Sequence, residues 1–122
     1  MTETLALAYA ALAAMPLAMH LALAAGAPFG RYTVGGRFSG RLPPIWRGLA
    51  LVQAALLAGM AVAVLARAGL APASLAPVFW PAAALTLLTC AANAASPSRP
   101  ERRLWAPVTA LMTAAALGVG LG

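Results

Sequence analysis

The sequence predicts an all-α membrane protein: four transmembrane helices in a single bundle, with both termini outside. Three observations carry that prediction. Of the 122 residues, 63% are hydrophobic and only 8% are charged, whereas about a quarter of a soluble domain is charged. The apolar residues gather in four runs, at about 4–26, 46–69, 77–95 and 104–121, each near the roughly 17–25 residues that cross a bilayer as a helix. Finally, seven of the eight arginines lie in or beside two of the links between those runs.

The first run ends in "ALAAGAPFG", whose small residues resemble a signal-peptidase site. A secretory signal opens on positive charge, whereas this chain opens "MTET" with Glu3 as the charged side chain, so the run is read as a spanning helix. Lipid offers the backbone no hydrogen-bond partner, and Ala/Leu runs of this length satisfy it as helices rather than as barrel strands. Pro16 lies well inside the run, where it frees a carbonyl and is expected to kink the helix. Trp46 opens the second run, Trp80 lies near the start of the third and Trp105 opens the fourth, as interfacial belt residues do. Pro77 and Pro107 fall in first turns, where a missing N–H is tolerated. The whole chain, 1–122, reads as one four-helix domain with a Gly/Arg-rich link at 27–45 and a second link at 96–103.

Charge sets the orientation. Arg31, Arg37, Arg41 and Arg47 belong to the first link, and Arg99, Arg102 and Arg103 to the link before the fourth run. An even number of helices puts these links on one side, leaving only Arg67 near the other. The positive-inside rule assigns the arginine-rich side to the cytoplasm. Lysine is absent and alanine abundant, a bias expected of GC-rich bacterial coding, which points to the bacterial inner membrane.

Read every fourth residue, the first run gives Ala6, Ala10, Ala14, Ala18, Ala22 and Gly26, and the last gives Ala106, Ala110, Ala114, Gly118 and Gly122. Small residues at this spacing let helices approach closely in lipid, so both ridges are candidate seams. His20, Gln53 and Asn93 are the amide or ionisable groups inside the runs, all in the cytoplasmic half. Thr86, Thr89, Cys90 and Asn93 share one face of the third helix, and Thr109 and Thr113 one face of the fourth. His20, Gln53, Thr89, Asn93 and Thr109 thus form a candidate polar layer. It is either interhelical glue at about 1 kcal/mol or less per bond, or a small pocket in which His20 is the one group able to titrate near neutral pH.

Enzyme chemistry finds little to stand on. "GRYTVGGRFSGR" matches neither the Walker pattern nor the dinucleotide fingerprint, for it lacks lysine and a flanking strand. The chain has no aspartate for a Ser/His/Asp set, and Glu3 and Glu101 are expected on opposite sides. Cys90 is alone, so there is no disulfide or cysteine cluster, and no zinc-ligand spacing occurs. One histidine per chain makes haem a third-ranked reading that needs a ligand from elsewhere. No cofactor or metal is therefore expected. Arg31, Arg37, Arg41, Arg47, Arg99, Glu101, Arg102 and Arg103 are read as a cytoplasmic face for anionic lipid headgroups or a protein partner, with the second link docked beside the first and Glu101 pairing a loop arginine. Topology accounts for the charge, and nucleic acid is not expected as a partner.

Three motifs, "GAPFG", "GGRFSGRLPP" and the Ser98, Glu101, Arg102 and Trp105-to-Val108 positions of "SRPERRLWAPV", run in this order along the chain. In them the chain resembles a group of small, mostly uncharacterised bacterial membrane proteins with four transmembrane helices. The resemblance implies the four-helix fold and a shared role in the two links; it carries over no catalytic residue. The expected function is a non-enzymatic accessory or interaction subunit, working as a homo-oligomer or inside a larger membrane complex. An oligomeric small-solute transporter or channel is the alternative.

Overall fold

Each apolar run becomes a helix. In the computed structural model, which describes residues 1–122, α1 spans Thr2–Ala24, α2 Pro44–Arg67, α3 Phe79–Ala94 and α4 Arg99–Leu121, with no strand. A 3₁₀ segment, Ala73–Val78, leads into α3, and together they make one apolar span. All four spans are long and apolar enough to cross a bilayer. The chain is a multi-pass, all-α membrane protein.

Helix ends follow local chemistry more closely than hydropathy does. α1 stops two residues before its apolar run does, because Gly26, at φ +99°, turns the chain. Gly26 N–H donates to Leu23 O at 3.0 Å and Ala27 N–H to Ala22 O at 2.9 Å, the paired bonds of a Schellman end. The largest departure is α4, which starts at Arg99 instead of about 104, taking most of the expected 96–103 link into helix. Ser98 is its N-cap, accepting from Glu101 N–H at 3.3 Å, so the "S-x-x-E" spacing of a capping box marks the start that the apolar count misses. Pro107 consequently lies past the second turn of α4 rather than in its first, and Pro77 falls in the 3₁₀ segment. α1 continues through Pro16, whose ring is buried.

The helices pack in cyclic order, α1 on α2, α3 on α4 and α1 on α4, while α2 meets the third span more through the 3₁₀ segment than through α3 itself. Ala6, Tyr9, Ala13, Met60, Phe79, Met112 and Val119 belong to the main core cluster. On α1 the buried stripe is Ala6, Tyr9, Ala13 and Pro16, at steps of three, four and three, with Leu23 two turns further on. The expected four-residue ridge does not stay inside: Ala14 and Ala18 face outward, as do Ala110 and Ala114 on α4. A strict four-residue ridge rotates by about 40° per step on a 3.6-residue helix, and over several steps it leaves the contact face. The termini meet at one end, where Gly122 packs against Thr2. Both arginine-rich links meet at the other.

Candidate functional site

The link 25–43 folds into a cap over the bundle. Two 3₁₀ turns, Gly30–Tyr32 and Val34–Gly36, shape it, and Gly30 N–H closes it on Gly40 O at 2.9 Å. Three side chains from the start of α4, at steps of three and four, hold its backbone. Ser98 Oγ donates to Arg31 O at 2.7 Å, Glu101 Oε2 accepts from Gly35 N–H at 2.8 Å, and Trp105 Nε1 donates to Tyr32 O at 2.9 Å. Ser96 Oγ adds a second donor to Glu101 at 2.9 Å. A side chain at Gly36 would press on Ser98, at 2.8 Å from its Cβ, so the double glycine lets the two links touch.

This geometry corrects two expectations. Glu101 takes its two hydrogen bonds from a backbone amide and a serine, not from a loop arginine, and it is turned partly inward. Trp105 is 7% exposed and pins the cap, whereas a belt residue would face the lipid boundary. Trp80, 50% exposed at the opposite end, has the exposure of a belt residue.

The arginines divide into two sets. Arg47 Nε donates to Ala24 O at 3.0 Å at the end of α1, and an Arg102 guanidinium nitrogen donates to Ser96 O at 2.7 Å just past α3. Cations there complement the negative ends of the helix dipoles, so both residues are half-buried structural caps and not free contacts. Arg31, Arg37, Arg41, Arg99 and Arg103 are exposed. Arg31 lies 5.0 Å from the ring centre of Tyr32, and Arg37 5.3 and 5.6 Å from those of Phe38 and Trp46, within cation–π range. At the far end Arg67 donates to Gly120 O at 3.1 Å.

Beneath the cap lies a chamber of about 450 Å³. His20, Gln53, Thr89, Asn93 and Thr109, from all four helices, line it together, and Tyr32, Trp46, Glu101 and Trp105 close its cap end. Its floor is apolar, with Leu57, Met60, Leu85 and Met112. These five polar residues are only loosely joined to one another. Asn93 Nδ2 reaches Thr109 Oγ1 at 3.4 Å, while Thr89 and Thr109 each donate backwards to a carbonyl of their own helix, Leu85 O at 2.8 Å and Trp105 O at 2.7 Å. His20 Nδ1 is buried without a partner, and the Gln53 residue sits exposed at the lip.

The tight polar bond of the core lies deeper and involves a residue absent from the predicted set. Tyr9, fully buried, meets Thr86 Oγ1 at 2.6 Å; Thr86 spends its own proton on Ala82 O at 2.8 Å, so the tyrosine is the donor. A tyrosine among alanines gives no periodic signal, and its partner is 77 residues away. No three His, Cys, Asp or Glu side chains come together as a metal site. No protein-family model, curated protein or solved structure matches this chain.

Proposed function

We propose that this protein is a non-enzymatic accessory or interaction subunit of the bacterial plasma membrane, working through its arginine-rich cap, with the cap in the cytoplasm and both termini outside. One observation carries the reading. Side-chain bonds to backbone fix the two links as one platform, and five guanidiniums remain exposed around it. Each arginine near an anionic leaflet contributes about 1 kcal/mol, so the platform suits anionic headgroups and an acidic partner surface. The cap is built from "GGRFSGRLPP" and "SRPERRLW", stretches on which the likeness to small bacterial four-helix proteins rests.

The test is lipid retention. Native mass spectrometry of the protein extracted from mixed zwitterionic and anionic vesicles should show anionic lipid retained. Replacing Arg31, Arg37, Arg41, Arg99 and Arg103 together by glutamine should abolish that preference, and unchanged retention would remove the cap as a lipid contact. A reporter fused at Gly122 that proves cytoplasmic would overturn the orientation.

The chamber favours a second reading, solute transport by an oligomer. Against it, the chamber closes at mid-span on Leu57, Met60 and Met112. One copy therefore offers no polar route through the second half of the membrane.

A further inference from the structure

The chamber is not sealed on its α2–α3 side. A second space of about 420 Å³, almost wholly apolar, lies between these helices and shares Leu56, Met60 and Leu85 with the chamber. It is bounded by Val52, Ala55 and Gly59 on α2 and by Pro81 and Ala82 on α3, reaching Val78 at the end remote from the cap. A Cβ at Gly59 would meet nothing within 4 Å, so the groove is open where that glycine stands. Polar space under the cap thus adjoins an apolar groove along the bundle flank, the two sharing Leu56, Met60 and Leu85 as walls. The whole has the layout of an amphiphile, head at one end and chain at the other.

The hydrogen-bond inventory selects the head. Thr89 and Thr109 spend their protons on carbonyls of their own helices, so toward the chamber they present lone pairs and no donor. Glu101 adds a carboxylate, and no arginine lines the space. A phosphate or carboxylate head would meet acceptors and negative charge without a cation, a costly burial. An ammonium head would lie under a cap with five exposed arginines, and the Glu101 oxygen nearest the links already holds two donors. A neutral hydroxyl both satisfies the threonine lone pairs and can bond the Asn93 amide, which lines the same space. A transmembrane helix laid in the groove would leave those groups unsatisfied. The groove's volume suits one hydrocarbon chain and not the two of a diacyl lipid.

We infer that the chamber and groove bind a single-chain amphiphile with a neutral, hydroxyl-bearing head, admitted from the bilayer between α2 and α3. The head lies among His20, Thr89, Asn93 and Thr109, with Gln53 at the lip, and the chain runs past Gly59 and Ala82.

Trp46 and Trp105 border the chamber and report on it. The experiment titrates a monoacylglycerol, brominated in its chain, into the full-length protein held in nanodiscs of zwitterionic lipid, following tryptophan quenching. Saturable quenching is expected, reversed by unbrominated monoacylglycerol. Lysophosphatidic acid of the same chain length should compete at least about tenfold less well, the scale of one unsatisfied buried polar group. Gly59→Leu, whose Cβ would meet nothing within 4 Å and whose side chain fills the groove, should abolish saturable quenching while the fold is retained by circular dichroism. Thr89→Val should weaken it severalfold. Quenching that never saturates, equal competition by the phosphate head, or full binding by Gly59→Leu would each overturn the inference. Efficient disulfide formation between two copies of Gly59→Cys, with no lipid bound, would assign the groove to a second copy instead.

Discussion

The flank where α1 meets α4 and the flank where α2 faces α3 are made from the same alanine-rich material, yet only the first is closed. On the closed side Ala6, Ala13, Ala115 and Ala116 are buried, and Gly118 lets Leu5 rest against α4. On the open side Val52, Leu56 and Val78 border a groove, and Gln53 and Ala92 are exposed at the chamber's edge. Lipid gives helices no hydrophobic reason to meet, so close approach requires small residues on both faces at once. α1 and α4 both supply them. α2 sets the larger Val52, Leu56 and Gln53 beside its small Ala55 and Gly59 on the side of α3, and the flank stays parted.

Truncation inside and outside the closed core should separate the two flanks most widely. Met112 is fully buried, and Met112→Ala should cost about 2–4 kcal/mol, as cavity-forming changes do. Leu56 at the groove is 48% exposed, and Leu56→Ala should fall within about 0.5 kcal/mol. Equilibrium unfolding in mixed micelles of increasing dodecyl sulfate content checks both. Equal losses would mean that protein covers the α2–α3 flank.

Next in size is the cap, which roofs both flanks. Glu101→Ala strips the acceptor from Gly35 N–H and Ser96 Oγ, at about 1.5–3 kcal/mol for bonds to a charged group. Hydrogen exchange at the Gly35 amide should accelerate by the corresponding factor. Glu101→Gln keeps an acceptor oxygen and should lose clearly less; an equal loss would show that charge, not the acceptor, holds the cap.

The Tyr9–Thr86 bond tests the closed interior through an asymmetry. Thr86→Val leaves the Tyr9 hydroxyl buried without an acceptor and should cost about 1–3 kcal/mol, whereas Tyr9→Phe leaves Thr86 its bond to Ala82 O and should cost about 1 kcal/mol. The same micelle unfolding, run on both variants, reads the order. A reversed order would mean that Tyr9 serves mainly by filling space.

What was legible in the sequence follows from what each feature requires. A bilayer demands about 20 apolar residues per helix, and so the four spans and the meeting of the arginine links at one end could be read directly. His20, Gln53, Thr89, Asn93 and Thr109 share a chamber because polar groups in lipid turn toward protein. The roles of Glu101 and Trp105 were not legible, since their partners are the backbone of Gly35 and Tyr32, 66 and 73 residues away, and backbone groups leave no mark in a sequence. The start of α4 could have been read from Ser98 and Glu101, but arginines hide it from a hydropathy count. The small-residue ridges lie partly inside, at Ala6 and Gly118, and partly outside, at Ala14, Ala18, Ala110 and Ala114, because alanine is so common that an in-line ridge exists on almost any face.

The smallest effect is the sharpest test of the flanks, because it turns on sign. Alanine favours helix over glycine by about 1 kcal/mol, and that gain is available to Gly59→Ala on the open side and to Gly118→Ala on the closed side alike. At Gly59 the new methyl meets nothing within 4 Å, so the gain should survive as about 0.5–1 kcal/mol of added stability. At Gly118 the methyl presses on Leu5 Cδ1, and moving that side chain offsets the gain, leaving no change or a loss of up to about 1 kcal/mol. If Gly59→Ala destabilises instead, something already occupies the groove beside it.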